Sequence, residues 1–206
     1  MVHLSNSENR DQRFSITNEE LQALPLLAYT GKVTVVTEAA KLSKALAEAK
    51  KVGTLGFDTE TRPAFVKGQR FKVALIQLAS HDKVWLIRPQ LTGYTPELIN
   101  FLQDESTLKI GVGLRDDLAA LHRVLRFEPK GFVELTQLTR QQGIEVESVK
   151  KLTGLLLGYR ISKSAQTSNW EAATLTEKQI EYAATDAWVC LQMFHVCTNN
   201  HDRTTL

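Results

Sequence analysis

The sequence places two acidic residues, Asp58 and Glu60, at the end of an apolar stretch that includes Leu55 and Phe57. These residues predict a β-strand, in which positions i and i+2 point to the same face, so the two carboxylates would project together. Carboxylates on one face repel each other unless a cation or a proton lies between them, and oxygen ligands of this kind suit Mg²⁺ or Mn²⁺. A polar strand end that meets solvent would show the same pattern, so the pair alone does not establish a metal site.

A second candidate pair lies near the C-terminal end, where Tyr182 precedes Asp186 by four residues. Positions i and i+4 share one face of a helix, so the phenol and the carboxylate would point the same way. The intervening Ala183 and Ala184 are small and would let this helix pack closely on a sheet. A surface aspartate beside a half-buried tyrosine is the alternative interpretation.

The third signal is the segment 111–117, in which a predicted strand ends in glycine and a helix begins with Asp116 and Asp117. Acidic residues near a helix N-terminus are stabilised by the helix dipole without any function. Adjacent helical residues point about 100° apart, so only one of these two carboxylates can face a shared site.

Hydrophobic periodicity and turn signals place these motifs in an alternation of strands and helices. Strands are predicted at residues 33–36, 54–59, 73–79, 84–87, 109–112 and 133–134. Helices are predicted at 18–24, from a cap at Thr37 to about 50, at 96–103, at 114–125 and from a capping box at 176–179 to about 196, with mostly helix after 136. This order predicts an α/β fold with a mixed central sheet flanked by helices.

Composition fits one compact globular domain, with 206 residues, 43% hydrophobic and 23% charged. We expect a partly ordered N-terminal extension at 1–25 and a single domain at 26–206. The chain contains no apolar run of 18 residues and no secretory signal, which predicts a cytoplasmic protein without a membrane partner. The only cysteines, Cys190 and Cys197, lie on one predicted helix and are expected to be buried thiols. A net charge of +2 makes no prediction about nucleic acid.

Taken together, the three motifs resemble those of the DEDD exonuclease superfamily in order and spacing. The tyrosine four residues before the last aspartate is typical of the DEDDy branch, which includes ribonuclease D and the exonuclease domain of the Werner syndrome protein. The resemblance spans roughly residues 30–197, and the stretches 72–78 and 163–170 are more similar to the Werner-type group. It implies a ribonuclease-H-like fold and a 3′→5′ exonuclease that acts by a two-metal-ion mechanism.

The resemblance also assigns roles to single residues. Asp58 and Glu60 match the metal ligands of the first motif, Asp117 the ligand of the second, and Asp186 that of the third. Tyr182 matches the residue that positions the attacking water. These catalytic residues imply two divalent cations, Mg²⁺ or Mn²⁺, with Asp58 between them.

The implied partner is a nucleic acid with a free 3′ end, single-stranded or frayed. In relatives the backbone at the position of Thr61 approaches the terminal 3′-hydroxyl, and Arg62 and Lys163 are candidate phosphate contacts, as are Lys67 and Arg70. Each of these positively charged side chains is equally well explained as ordinary surface charge. The Werner-type likeness favours DNA and a role in DNA repair, with RNA as the alternative.

Three other functions fit parts of the pattern. A pseudo-nuclease that binds without cutting is disfavoured, because all four carboxylates and the tyrosine are present. A phosphatase with Asp58 as covalent nucleophile would usually need a second aspartate in place of Glu60, and would leave the later motifs unexplained. A nucleic-acid-binding subunit that works only within a larger assembly also remains compatible with the sequence.

Overall fold

The computed structural model describes residues 14–66 and 68–199. The first thirteen residues of the predicted N-terminal extension and Lys67, a candidate phosphate contact, therefore lie outside the described residues. The strands are β1 (Leu26–Leu27), β2 (Lys32–Val36), β3 (Thr54–Thr61), β4 (Val73–Ala79), β5 (Lys83–Ile87), β6 (Leu108–Gly111), β7 (Phe132–Glu134) and β8 (Arg160–Ile161). The helices are α1 (Asn18–Ala23), α2 (Ala39–Val52), α3 (Pro89–Thr92), α4 (Pro96–Leu102), α5 (Leu114–His122), α6 (Leu135–Gln141), α7 (Val149–Leu157) and α8 (Glu177–Asn199).

Six strands form the mixed sheet that the sequence predicts, in the order β2-β5-β4-β3-β6-β7. Strand β4 runs antiparallel to both of its neighbours, whereas the pairs β2/β5, β3/β6 and β6/β7 are parallel. The β4–β5 hairpin closes where the polar spacer predicts it. Because β3 lies inside this sheet, its side chains alternate between two covered faces.

Helices cover both faces of the sheet. On one face α2, α4 and α5 contribute to a core through Leu42, Leu98 and Leu121, each fully or almost fully buried. On the other face α8 packs through Ala183 and Ala187, both fully buried. This arrangement places the long C-terminal helix directly over β3 and β4.

The N-terminal segment from residue 14 packs against α7 and β8. Leu21 of α1 is buried, and a Cβ atom at Gly154 of α7 would lie 2.6 Å from its side chain. Strand β1 pairs in parallel with β8, and Arg160 donates a hydrogen bond through Nε to the Leu24 carbonyl oxygen. Residues 14–27 thereby support the part of the chain that forms one wall of the cleft described below.

Two predicted helix ends were wrong, and the mostly helical segment predicted after 136 is confirmed with two interruptions. Helix α2 begins after Glu38, which makes no side-chain cap bond, so Thr37 is not its cap. Helix α5 ends at His122, before the predicted residue 125. The chain after 136 is interrupted at 142–148 and 158–176, because glycines with positive φ, including Gly143 and Gly158, end two helices. The capping box of α8 is confirmed by reciprocal hydrogen bonds between Thr176 and Gln179.

Across residues 14–66 and 68–199, no helix has both the length and the apolar character needed to cross a membrane. Cys190 and Cys197 are free and buried, as predicted.

Candidate active site

Three carboxylates converge where β3 passes under α8. Asp58 and Glu60 lie on the same face of β3, and Asp186 comes from α8. One ligand oxygen from each lies within 4.8 Å of the other two. We call Asp58, Glu60 and Asp186 the carboxylate cluster. The strand periodicity predicted the first pair, and the fold brings the third residue to it.

The close approach of α8 to β3 depends on Gly56. Gly56 lies two residues before Asp58 and therefore faces α8 as well. A Cβ atom at Gly56 would overlap the carbonyl oxygen of Ala187 and lie 2.8 Å from its carbonyl carbon. Because Asp186 immediately precedes Ala187, this contact between a glycine and the helix backbone brings the Asp186 carboxylate to the strand.

Tyr182 lies one helical turn before Asp186 on the same face of α8, as the sequence predicts. Its ring packs at 6.0 Å from that of Trp170, which is fully buried. The side chain of Tyr182 is only 8% exposed and lines the cleft in front of the carboxylate cluster. The packing of the ring therefore fixes the position of the hydroxyl group, which faces the carboxylates.

Asp117 approaches the cluster from α5. The Thr59 hydroxyl donates a 2.5 Å hydrogen bond to Asp117 Oδ1, and the charge of Asp117 raises the pKa of both Asp58 and Glu60. Its neighbour Asp116 is 85% exposed and pairs with Arg115. Of the two adjacent acids, Asp117 is the one that faces the site, and it lies beside the carboxylate cluster.

Burial is the largest cause of raised pKa values in this site. It raises the pKa of Asp58 well above its ordinary value, and neighbouring carboxylates raise it further. The pKa of Glu60 rises to about 9 for the same two reasons. Burial raises the pKa of Asp186 to about 7 and that of Asp117 to about 6, against the lowering effect of hydrogen bonds from Tyr182 and Thr59 respectively.

These residues fit a divalent cation of the Mg²⁺ or Mn²⁺ type. The cluster offers only carboxylate oxygens, which are the ligands that hard cations prefer. Asp186 Oδ1 is buried and makes no hydrogen bond with any described residue. A buried acceptor without a partner is costly unless something else satisfies it, and a cation would satisfy it while relieving the mutual repulsion.

The site opens into a cleft of about 340 Å³. One wall carries the carboxylate cluster and Tyr182. The other wall is formed by the start of α7 and by the segment after β8. The polar side chains of that second wall are Ser148, Lys150, Ser162, Lys163 and Gln166.

Of the predicted substrate contacts Thr61, Arg62 and Lys163, only Lys163 lies in the cleft. Lys163 lines the cleft, and its charge lowers the pKa of Asp186. Thr61 follows a bulge at the end of β3, and neither it nor Arg62 lines the cleft. Arg62 lies 3.7 Å from a carboxylate oxygen of Glu171 and 5.2 Å from the centre of the Phe71 ring.

Several residues at the site were missed from the sequence. Ser148 and Lys150 have no motif that marks them, and Gln166 lies in the stretch 163–170 but was given no role. Only the packing of α7 and β8 brings these three residues to the cleft. Thr59 lies between two predicted ligands, but its side chain points to the opposite face of β3, where it meets Asp117. Strand alternation could have drawn attention to Thr59, but only if the position of α5 had been known.

The sequence matches the 3′–5′ exonuclease family over residues 33–200. The chain belongs to this family. It is 33% identical over 189 residues to the mouse bifunctional 3′-5′ exonuclease/ATP-dependent helicase WRN, a match that covers 87% of this chain and 14% of WRN. It is 28% identical over 166 residues to ribonuclease D of Haemophilus influenzae, which covers 79% of this chain and 40% of that protein. The chain thus spans less than half the length of these relatives.

A solved structure supports the fold of this exonuclease chain. The EXO domain of Nibbler from Aedes aegypti superimposes with a TM-score of 0.75 at 23% identity, covering 87% of this chain and 94% of that domain. The ribonuclease-H-like fold implied by the sequence motifs is confirmed.

The raised pKa values predict how the stability of the metal-free protein depends on pH. The pKa values are about 9 for Glu60, about 7 for Asp186 and about 6 for Asp117. In the unfolded chain such carboxyl groups lose their protons at about pH 4. The folded state therefore binds more protons than the unfolded state between these values. The free energy of unfolding then falls as the pH rises through this window.

We expect the melting temperature of the EDTA-treated protein to fall between about pH 5 and about pH 9, measured by circular dichroism. Saturating Mg²⁺ should reduce the fall, because cation binding stabilises the ionised carboxylates. The Glu60→Gln variant should show a shallower decline above about pH 7, since the pKa of Glu60 is about 9 and this group keeps its proton to a higher pH than Asp186 or Asp117. A melting temperature that rises over this range would contradict the prediction.

Proposed function

We propose that this chain hydrolyses phosphodiester bonds at the 3′ end of DNA and that two divalent cations assist it. The observation that carries the proposal is the carboxylate cluster beside a packed tyrosine in an open cleft. A structural role for these acids is disfavoured, because three mutually repelling carboxylates under one helix destabilise a fold that has no cation to neutralise them.

Asp58, Glu60 and Asp186 would hold the cations, with Asp117 completing the set from α5. When bound, two such ions neutralise charge on the phosphate and on the departing 3′-oxygen of an in-line displacement. The four carboxylates contribute by being arranged before substrate arrives, because packing of α8 and α5 limits their movement.

Tyr182 would orient the attacking water. Its phenol oxygen can donate and accept a hydrogen bond, and burial with nearby negative charge raises its pKa, so it remains protonated at neutral pH. A protonated hydroxyl cannot remove a proton from water, but it can hold the water oxygen in line with the scissile bond. Packing against Trp170 keeps that hydroxyl in place.

The opposite wall would hold the terminal nucleotide. Lys163 and Lys150 bring positive charge to a cleft whose other wall is acidic, and Ser162 and Gln166 offer hydrogen bonds. A cleft of about 340 Å³ falls in the range typical of small-ligand sites, which begins at about 300 Å³. The cleft therefore suits a single 3′-terminal nucleotide, and a base pair would have to open before its 3′ strand could enter.

DNA is proposed as the substrate because the chain is more similar to the Werner-type exonuclease than to ribonuclease D, at 33% against 28% identity. Ribonuclease D is the reason to keep RNA as the second candidate. A protein distinguishes the two through contacts to the 2′-hydroxyl. A cytoplasmic location, a role in DNA repair and action within a larger assembly stay predictions.

A digestion time course tests the function. Single-stranded DNA and RNA of equal sequence, each labelled at the 5′ end, are incubated with the protein and Mg²⁺ or Mn²⁺. We expect a ladder that shortens from the 3′ end, disappears with EDTA, and forms faster on DNA. A faster ladder on RNA would reverse the substrate assignment. Binding of either strand without any ladder would instead support a binding module or a subunit that needs its partner.

Tyr182→Phe should lose most of the activity, by about 100-fold, because a reacting group that is misplaced by about 1 Å costs about this much in rate. Its affinity for Mn²⁺ should be unchanged, since the phenol is not a cation ligand in the proposal. Tyr159→Phe removes a hydroxyl outside the cleft lining and serves as the matched control. A Tyr182→Phe protein that digests at the unaltered rate would remove Tyr182 from the mechanism.

A further inference from the structure

Helix α5 carries Asp117 but does not cap its own N-terminus. Its N-cap residue is Gly113, which adopts a left-handed conformation with φ of 76° and has no side chain to accept a hydrogen bond. The first backbone N–H groups of a helix have no partner inside the helix, so they need one from elsewhere. Another residue must therefore satisfy them at this end of α5.

Glu134, at the end of β7, accepts hydrogen bonds from two backbone N–H groups at the start of α5. Its Oε1 accepts from the Gly113 N–H at 3.2 Å, and its Oε2 accepts from the Leu114 N–H at 2.9 Å. Strand β7 runs parallel to β6, with Glu134 in register with Gly111, so both strands end at the same edge of the sheet. A carboxylate at the N-terminus of a helix is also favoured by the helix dipole.

The Glu134 side chain is itself held in place. Its Oε1 also accepts hydrogen bonds from the Thr136 N–H at 3.2 Å and from the Thr136 hydroxyl at 2.9 Å. The same carboxylate therefore caps α6 and α5 at once. Because four donors share its two oxygens, Glu134 connects two helices rigidly at the edge of the sheet.

Asp117 is the fourth residue of α5, within the turn that Glu134 caps. On its other side, the Thr59 hydroxyl donates to Asp117 Oδ1. The position of this carboxylate is thus determined from two directions, by a hydroxyl from β3 and by a helix end attached to β7. Asp116, in the same turn, has no such support from the fold and is exposed.

We propose that Glu134 is a positioning residue, which holds the first turn of α5 so that Asp117 faces the carboxylate cluster and is ready to bind a divalent cation. This inference rests on the proposed metal site and adds a residue to it that does not touch the cation. Neither Glu134 nor Asp117 lines the cleft, but Glu134 is hydrogen-bonded to the start of the helix that carries Asp117, so the effect of its loss should reach the carboxylate cluster through Asp117.

Cation binding to the substrate-free protein tests this role. Mn²⁺ titrations followed by electron paramagnetic resonance would compare the wild type with Glu134→Ala, Asp117→Asn and the double variant. We expect Glu134→Ala to weaken Mn²⁺ binding about 10-fold, the lower end of the range for residues that orient metal ligands. The double variant should bind as weakly as Asp117→Asn and no more weakly, because Glu134 acts through Asp117.

A purely structural cap would give a different result. Glu134→Ala would then lower the melting temperature but leave the Mn²⁺ affinity unchanged, or its effect would add fully to that of Asp117→Asn, and either outcome would overturn the inference. Glu134→Gln keeps one acceptor oxygen and should give an intermediate affinity, which covers the case in which the alanine variant does not fold. Glu145→Ala removes an exposed glutamate and should bind Mn²⁺ like the wild type.

Hydrogen exchange gives a readout that needs no cation. In Glu134→Ala the backbone amides of Gly113 and Leu114 should exchange faster, while those of β4 stay protected. Unchanged exchange at both amides would contradict the geometry of the cap. A wild-type protein that produces no ladder but binds Mn²⁺, and binds it more weakly after Glu134→Ala, would overturn the proposed function and support this inference, whereas a wild-type protein that binds no Mn²⁺ would overturn both.

Discussion

Replacement of Asp58 by asparagine is expected to lower the rate of 3′-end digestion at least about 1000-fold, which corresponds to about 4 kcal/mol of transition-state stabilisation. Burial and the charges of all three other carboxylates raise the pKa of Asp58, and its ligand oxygen lies within 4.8 Å of those of Glu60 and Asp186. Removing its charge removes a ligand that the proposed cations would share. Their loss would cost the several kilocalories per mole that cations contribute to phosphoryl chemistry.

The same change should leave the fold intact. Asparagine has nearly the volume of aspartate, and a neutral side chain at the centre of the site relieves repulsion with Glu60 and Asp186. The melting temperature of the metal-free variant at about pH 8 should therefore equal or exceed that of the wild type, measured by calorimetry.

Asp116→Asn is the matched control for Asp58→Asn, because it removes an aspartate charge from an exposed side chain near the site. It should digest at nearly the wild-type rate. Activity retained in Asp58→Asn would argue against the carboxylate cluster as the cation site, and equal losses in both variants would point to net charge alone.

Substitution of Gly56 by alanine is expected to have the second large effect, on stability as well as on activity. The added Cβ would overlap the backbone of α8 at Ala187, and a helix backbone cannot move aside as a flexible side chain does. Forcing a buried helix away from a sheet costs about 3 kcal/mol. It also displaces Asp186 and Tyr182 together, and a misplacement of about 1 Å costs about 100-fold in rate.

Urea unfolding and the digestion assay would measure both consequences of Gly56→Ala. Gly53→Ala is the control, because a Cβ there has no neighbour within 4 Å and meets only the strain of a positive φ. Gly53 has φ of 80° and ψ of −37°, which lies outside the left-handed helical region, so this strain costs about 1–3 kcal/mol but should leave the rate unchanged. A Gly56→Ala protein as stable and as active as the wild type would show that α8 can shift without disturbing the carboxylate cluster.

Local periodicity explains which parts of the site could be predicted from the sequence. The pairing of Asp58 with Glu60 follows from the two-residue repeat of a strand, and that of Tyr182 with Asp186 from the turn of a helix. Both patterns need only a few neighbouring residues. The alternation of strands and helices likewise predicted the mixed sheet, because apolar spacing is set by the burial of each element.

Helix ends were predicted less well, because competing caps differ by small free energies. Thr37 is a good N-cap residue by type, yet α2 begins after Glu38. The preference of threonine at that position is worth about 1 kcal/mol. The packing of Leu42 and Leu46 against the sheet buries enough apolar surface to outweigh such a preference.

The sequence by itself therefore determined the type of chemistry, because it places paired carboxylates and a tyrosine on elements that an α/β fold can bring together. The resemblance had already assigned the second-motif ligand to Asp117, and only the tertiary structure shows the contact that turns this residue toward the site, the lining of the cleft by Lys150 and the capping of α5 by Glu134. These contacts join residues that are distant in the chain. Their geometry depends on how closely whole helices approach the sheet, which single-residue patterns do not encode.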